Sequence, residues 1–271
     1  MSRSFTYTAL TLRVKASGES NREVWFLTAE EGLIRATVFG GPKSRLRAQA
    51  APFHEGKLWV YHNPVRDSRK VTDFDVHSYR AGIRELYERA MTAAAVAETI
   101  LASSGGGGNW QDALNLAGNV LDALEDAEAA ACPQIALYFL WHWVEILGVK
   151  PEISACASCG AVLPDQDLSG ACEVKGDGLI WYSAGKETLL CGKCMGDERS
   201  DRQADSGASF SIGPAAINRL KAIESIPPED LKRAPSVLWS GDIHPLEQAI
   251  SLSKAVLTTA LGKRLSTWDC I

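Results

Sequence analysis

Apolar and polar positions alternate with a period of two over the first eighty residues, a pattern that predicts short, half-buried strands. In Leu10-Thr-Leu-Arg-Val-Lys15 the apolar side chains are interleaved with Thr11, Arg13 and Lys15. A polar turn at Ser17–Asn21 leads to Glu23–Thr28, and Glu31-Gly32 turns the chain into Leu33–Phe39 as a hairpin. Lys57–His62 and Lys70–Val76 supply two more strands. Five strands are too few for a sandwich and suit a small closed barrel of the OB type, a scaffold whose face and loops take oligonucleotides.

From Arg80 the period lengthens to that of a helix, with Ile83, Leu86, Ala90, Ala94, Ala97 and Leu101 on one face. Ser103–Asn109 is a loop whose glycine run has neither the spacing nor the Lys-Ser/Thr ending of a P-loop. A second helix uses Trp110, Leu114, Ala117, Leu121 and Leu124, and its acidic outer face (Asp122, Glu125, Asp126, Glu128) reads as solvated. Pro133 opens a third helix in which Ile135–Leu147 is apolar on nearly every side. Such a helix is buried all round and is too short to span a bilayer. His142 and Glu145, three apart on it, read as packed polar groups of that core. Pro214 and Pro245 open two further helices, and the polar run Gly196–Gly207 reads as a mobile loop. The expected fold is α+β and multidomain. An OB-type barrel over residues 1–80 precedes a helical bundle over 81–271, into which a cysteine module at 151–197 is inserted.

That module carries the clearest chemistry in the chain. Cys156-Ala-Ser-Cys159 and Cys191-Gly-Lys-Cys194 are separated by thirty-one residues that read as a hairpin, Gly178–Ser183 and Glu187–Leu190. Two Cys-x-x-Cys turns at this spacing, with no thioredoxin-like βαβ pattern nearby, are better explained by a metal than by redox chemistry. Four thiolates fit one closed, tetrahedral, structural Zn²⁺ with Cys156, Cys159, Cys191 and Cys194 as ligands. Of the other cysteines, Cys132 reads as a buried helix-start residue and Cys172 as a spare candidate ligand, with Cys270 left over.

Charge then changes the picture of the barrel. The net charge is −5, yet residues 1–80 hold thirteen Lys+Arg against eight Asp+Glu, and the remainder fifteen against twenty-five. A basic first domain on an acidic body is what local phosphate binding requires. In Gly40-Gly-Pro-Lys-Ser-Arg-Leu-Arg47 two glycines and a proline exclude regular structure at the start, and Lys43, Arg45 and Arg47 follow as a flexible phosphate cradle. Arg13, Lys15, Arg22 and Arg35 extend that DNA-binding surface if their strands face the same way.

Other function classes find little support. There is no His-Glu-x-x-His, Gly-x-Ser-x-Gly, Walker lysine or Rossmann fingerprint, and no proline precedes either cysteine pair as a deaminase requires. The five histidines, His54, His62, His77, His142 and His244, are scattered. No apolar run approaches a membrane span, and Met1–Thr8 has no signal-peptide core. A cytoplasmic binding protein, not an enzyme, is expected.

The chain also resembles the RecO family of bacterial recombination mediators, the DNA-repair proteins of the RecF pathway. The likeness rests on Gly18–Arg22, Phe26-Leu-Thr28 with Gly32, Gly40–Leu46 with Pro52-Phe53, and Leu147-Gly-Val-Lys-Pro151 leading to Cys156-x-x-Cys159-Gly160. It departs from the family at Ala184-Gly185, where a Gly-Gly is usual before the second cysteine pair. The resemblance implies a nucleoid-associated protein that binds single- and double-stranded DNA and anneals complementary strands. It further implies help in loading RecA onto strands coated by single-strand-binding protein, with RecR and the acidic C-terminal tail of the coating protein as partners. The alternative is a zinc-ribbon scaffold in transcription or RNA processing, without annealing.

Overall fold

The alternation along the first eighty residues becomes five strands: β1 (Ser4–Ser17), β2 (Asn21–Thr28), β3 (Gly32–Val38), β4 (Glu55–Asn63) and β5 (Ser68–Ser78). The computed structural model describes residues 3–41, 43–163, 179–200, 209–233 and 243–271. The strands close into a barrel in the order β1-β2-β3-β5-β4. Its closure depends on the length of β1, which pairs with β4 through Ser4–Leu10 and with β2 through Ala9–Ser17. A register shift between Thr11 and Arg13 bends the strand between those two duties. The last seam is a parallel contact of β3 with β5 at Thr37 and Lys70. Inward residues such as Val24, Phe26, Ile34, Leu58 and Phe74 fill the barrel, and Phe26 meets Phe74 edge-on at 5.7 Å.

Between β3 and β4 the basic segment is not wholly a loop. A one-turn helix, α1 (Arg45–Gln49), carries Arg45 and Arg47, and Leu46 and Ala50 anchor it on the barrel core. Helices α2 (Tyr87–Ala102) and α3 (Trp110–Glu125) then cover part of the barrel wall. Leu10 and Leu27 are therefore fully buried although they lie off the interior cluster. Gly32 has φ +71°, and a Cβ there would stand 2.6 Å from the Trp110 indole nitrogen. Gly32→Ala is expected to cost about 2–4 kcal/mol from left-handed strain plus overpacking. A urea titration finding less than about 1 kcal/mol would refute that packing.

Arg80 is the residue that joins wall to helix. It is 3% exposed, and φ +46° turns its side chain inward at the end of β5. Its guanidinium donates to Phe53 O (2.9 Å), Glu55 Oε2 (2.6 Å), Asp122 Oδ1 (2.6 Å) and Gly118 O (3.3 Å). Asp122 is thus not a member of a merely solvated acidic face, because it accepts from a buried cation.

The chain divides into two compact units, Met1–Ile135 with Leu265–Ile271, and Ala136–Arg264. The tail of the first unit is held by Glu98, which accepts from Ser266 Oγ (3.2 Å), Thr267 N (2.9 Å) and Thr267 Oγ1 (2.5 Å). Beside it Trp268, fully buried, donates to Thr99 Oγ1 at 3.0 Å. Burial opposes ionisation of Glu98, but the donors from Thr267 and Ser266 outweigh it and hold the carboxyl below its ordinary value of 4.5. A depressed carboxyl stabilises the docked tail above that ordinary value, and the contribution is lost as pH falls through the lower folded value. Amide-exchange protection factors at residues 266–270, corrected for the intrinsic rate, are expected to fall on acidification below 4.5 in the native protein, and less so in Glu98→Gln. Equal pH dependence in the two proteins would contradict this assignment.

The central helix α4 (Cys132–Ile146) begins in the first unit and continues into the second from Ala136, and it buries Tyr138, Trp141 and Trp143 completely, as its composition predicts. Cys132 is buried at its first position. His142 is partly buried, stacks on Tyr138 and donates through Nδ1 to Tyr138 O at 2.9 Å. Glu145, in contrast, is exposed and stands 3.6 Å from Lys150, so the two do not form one packed polar pair. The expected hairpin is present as β6 (Ile180–Ser183) and β7 (Thr188–Cys191). It is followed by α5 (Gly192–Ser200), where the first part of a loop is expected, and joined by β8 (Ser209–Ile212) in a sheet of order β7-β6-β8. Helices α6 (Pro214–Glu224) and α7 (Ile243–Leu261) follow, with a 3₁₀ turn at Pro228–Arg233 between them. Tyr138 donates to Ile226 O (2.7 Å) and Trp141 to Glu224 (2.7 Å), which fix α4 against the end of α6. Cys172 and the remainder of the run Gly196–Gly207, residues 201–207, lie outside the described residues. Among the described residues no helix is long and apolar enough to cross a membrane.

Candidate metal centre and nucleic-acid interface

Two turns bring the four sulfurs together. The first is a knuckle in which Gly160 N–H donates to Cys156 O (2.9 Å) and Cys156 N–H to Ala161 O (2.8 Å), with Gly160 at φ +71°. The second lies where β7 passes into α5, so that Cys191 ends the strand and Cys194 sits in the first helical turn. A bond from Ala157 N to Leu189 O (3.0 Å) ties one turn to the other. The four Sγ atoms lie within 4.8 Å of one another, with Cys159 and Cys191 at 3.8 Å. A tetrahedral centre with metal–sulfur bonds of about 2.3 Å places its sulfurs about 3.8 Å apart. A disulfide needs about 2.05 Å, and these cysteines are free.

Electrostatics point the same way. Burial raises the Cys156 thiol, yet backbone N–H groups of Cys159, Cys191 and Ser158 outweigh it and pull the value down to about 6. The Cys191 amide is one of these donors, 3.3 Å from Cys156 Sγ. At Cys194 the Ser158 hydroxyl favours ionisation, but burial and the three neighbouring cysteines push the value up to about 12. One sulfur is prepared as a thiolate while the last resists it, the behaviour of four like-charging groups in one place without a cation between them. The set can hold a metal ion, and Cys156, Cys159, Cys191 and Cys194 would each supply one sulfur.

Register sorts the candidate cations of the barrel. Arg13 of β1, Trp25 of β2 and Arg35 of β3 lie in one cross-strand row, and Lys15, Glu23 and Thr37 in the next. These rows alternate with the core residues Val24, Ala36 and Val38, so they face outward. Arg13 stands over the Trp25 ring at 5.5 Å, and Arg35 pairs with Glu23 at 3.3 Å. Lys43, in a turn, and Arg45, on α1, are exposed, while Arg47 is partly buried. Arg22 pairs with Ala16 and Val38 and shares the inward parity of Val24, which takes it off the outer face of Arg13, Lys15 and Arg35. Two further cations, missed from sequence, cover rings outside the barrel: Lys70 over Phe39 at 5.2 Å and Lys57 over Trp59 at 5.4 Å. Phe39 continues the outward parity of Arg35 and Thr37, a signal present in the alternation itself.

Comparison with known proteins matches residues 1–80 to the model described as Recombination protein O N terminal, and residues 84–238 to Recombination protein O C terminal. The chain belongs to the RecO family. It is similar to the DNA repair protein RecO of Rubrobacter xylanophilus, 28% identical over 220 residues that make up 80% of this chain and 79% of the relative. The protein of the same name from Heliobacterium modesticaldum is 28% identical over 229 residues, 83% of this chain and 75% of the relative. That from Acaryochloris marina is 26% identical over 158 residues, 58% and 53% of the two chains. The match to the RecO N-terminal model ends at Arg80, just past β5, and the C-terminal match contains all four clustered cysteines.

Proposed function

We propose that this chain is a DNA-binding mediator of recombinational repair, in which residues 1–80 grip DNA and residues 81–271 meet proteins. The observation that carries the reading is the outward row of cations on the barrel beside the exposed Lys43 and Arg45. Phosphates of single- or double-stranded DNA are held by Lys43, Arg45 and Arg47, with Arg13, Lys15 and Arg35 on the adjoining wall. Backbone contacts that leave bases free allow a second, complementary strand to anneal. The acidic remainder, stiffened by one structural Zn²⁺ on Cys156, Cys159, Cys191 and Cys194, binds RecR and the tail of single-strand-binding protein, and so helps RecA onto coated strands. Membership of a family whose relatives carry the name DNA repair protein supports this, and in this reading the protein acts in the cytoplasm at the nucleoid.

Replacing Lys43, Arg45 and Arg47 together with Ala is expected to weaken binding similarly for all DNA sequences. The logarithmic salt slope should fall by about two to three, one counterion's share per lost phosphate contact. Gel-shift titrations of single strands and duplex at two salt concentrations read both quantities. Unchanged affinity and slope would remove this segment from the site.

A further inference from the structure

The outer wall of β1, β2 and β3 holds more than cations, and its aromatic residues are placed where charge alone would not need them. Trp25 lies between Arg13 and Arg35 in one row, and Lys70 stands beside Thr37 across the parallel seam. Phe39, one residue past β3 and at the root of the basic segment, is 47% exposed. Each ring has a cation over it, Arg13 on Trp25 and Lys70 on Phe39. Glu23 is the one acid in these two rows, and it is already engaged by Arg35.

We propose that Trp25 and Phe39 take unpaired bases by stacking, so that this wall selects single strands over duplex. This rests on the reading of the barrel as the DNA-binding domain and adds the chemistry of the base to that of the phosphate. When the covering Arg or Lys turns aside to a phosphate, the ring offers that nucleotide's base a π-face at the same spot. The two rings stand one strand and four residues apart, about 14 Å from strand geometry, too far to belong to one continuous base stack. They therefore take separate bases of an extended strand. A duplex keeps its bases stacked on one another and gives such rings nothing to bind.

A third ring–cation pair serves as an internal contrast. Trp59 and Lys57 also face outward, but their partners on β5 are Asp73 and Asp75, both exposed. Two carboxylates opposite the pair repel a polyanion, so the same ring–cation geometry there is excluded from the site.

The test uses the full chain, a poly(dT) oligonucleotide and a duplex of equal length, with affinity read by fluorescence anisotropy at two salt concentrations. Trp25→Ala and Phe39→Ala are each expected to lower single-strand affinity at least about five-fold, leaving duplex affinity and the salt slope unchanged. Trp25→Phe and Phe39→Tyr, which keep a ring, should stay within about two-fold of the parent, as should Trp59→Ala. Equal losses on single strand and duplex, losses in the ring-retaining variants, or Ala variants within about two-fold of the parent would each overturn the proposal while leaving DNA binding intact. A parent protein that binds neither DNA would overturn the DNA-binding reading itself. Should Trp25→Ala disturb the wall, Phe39 lies outside the strand ladder and decides the question alone.

Discussion

Removal of the metal by a chelator is expected to unfold the sheet and helix around Cys156–Cys194. Sequence spacing and a 3.8 Å sulfur pair describe four sulfurs placed so that they could hold a cation. A structural zinc contributes on the order of 10–16 kcal/mol of apparent binding free energy, far more than a three-stranded sheet of four-residue strands supplies. Mass spectrometry of fresh protein should find about one zinc per chain, and Cys156→Ser should lose it while Cys132→Ser keeps it. Amide exchange over residues 179–200 should rise steeply in the stripped protein, with the barrel strands β2 and β3 still protected. Protein that carries well under one zinc per chain when fresh, or whose exchange ignores chelation, would dismiss the centre.

The second large effect is expected from Arg80. Replacing it with Met leaves the carboxylate of Glu55, 15% exposed, without its cation and also removes donors to Phe53 O and Gly118 O. Breaking a buried ion pair from one side costs on the order of 3–5 kcal/mol, because the charge left behind stays desolvated. Arg80→Lys should recover only part of this, since a single ammonium cannot reach four acceptors arranged around a planar fork. Arg80→Met combined with Glu55→Gln should lose less than Arg80→Met alone, which thermal unfolding of the three variants compares directly. A melting temperature for Arg80→Met within about 2 °C of the parent would sink this account of the clamp.

Much of this architecture is written into local pattern. Strict alternation places Val24 and Phe26 inside and Trp25 outside, so the barrel and its two faces follow from period alone. Two Cys-x-x-Cys turns predict the clustering of four sulfurs because each turn fixes its own pair. What stayed hidden depends on long-range partners. Arg80 sits where one period gives way to another, and nothing near it in sequence announces Glu55 or Asp122 as its acceptors. Arg45 and Arg47 belong to a helix only because Leu46 finds the barrel core. The polar end of α5, Gly196–Ser200, reads as loop, yet it continues a helix whose first turn holds Cys194 and the buried Met195. β8 is four residues long and becomes a strand only beside β6.

The tail that docks through Trp268 and Glu98 has a thermodynamic consequence for the molecule as a whole. Its docking closes a loop made of Ala136–Arg264, so the entropy of that closure depends on whether the intervening residues are ordered. For a fully unfolded segment of this length the closure term is about 4 kcal/mol. Complete unfolding of that segment would thus reach Trp268 as a weaker latch, a coupling transmitted by chain connectivity.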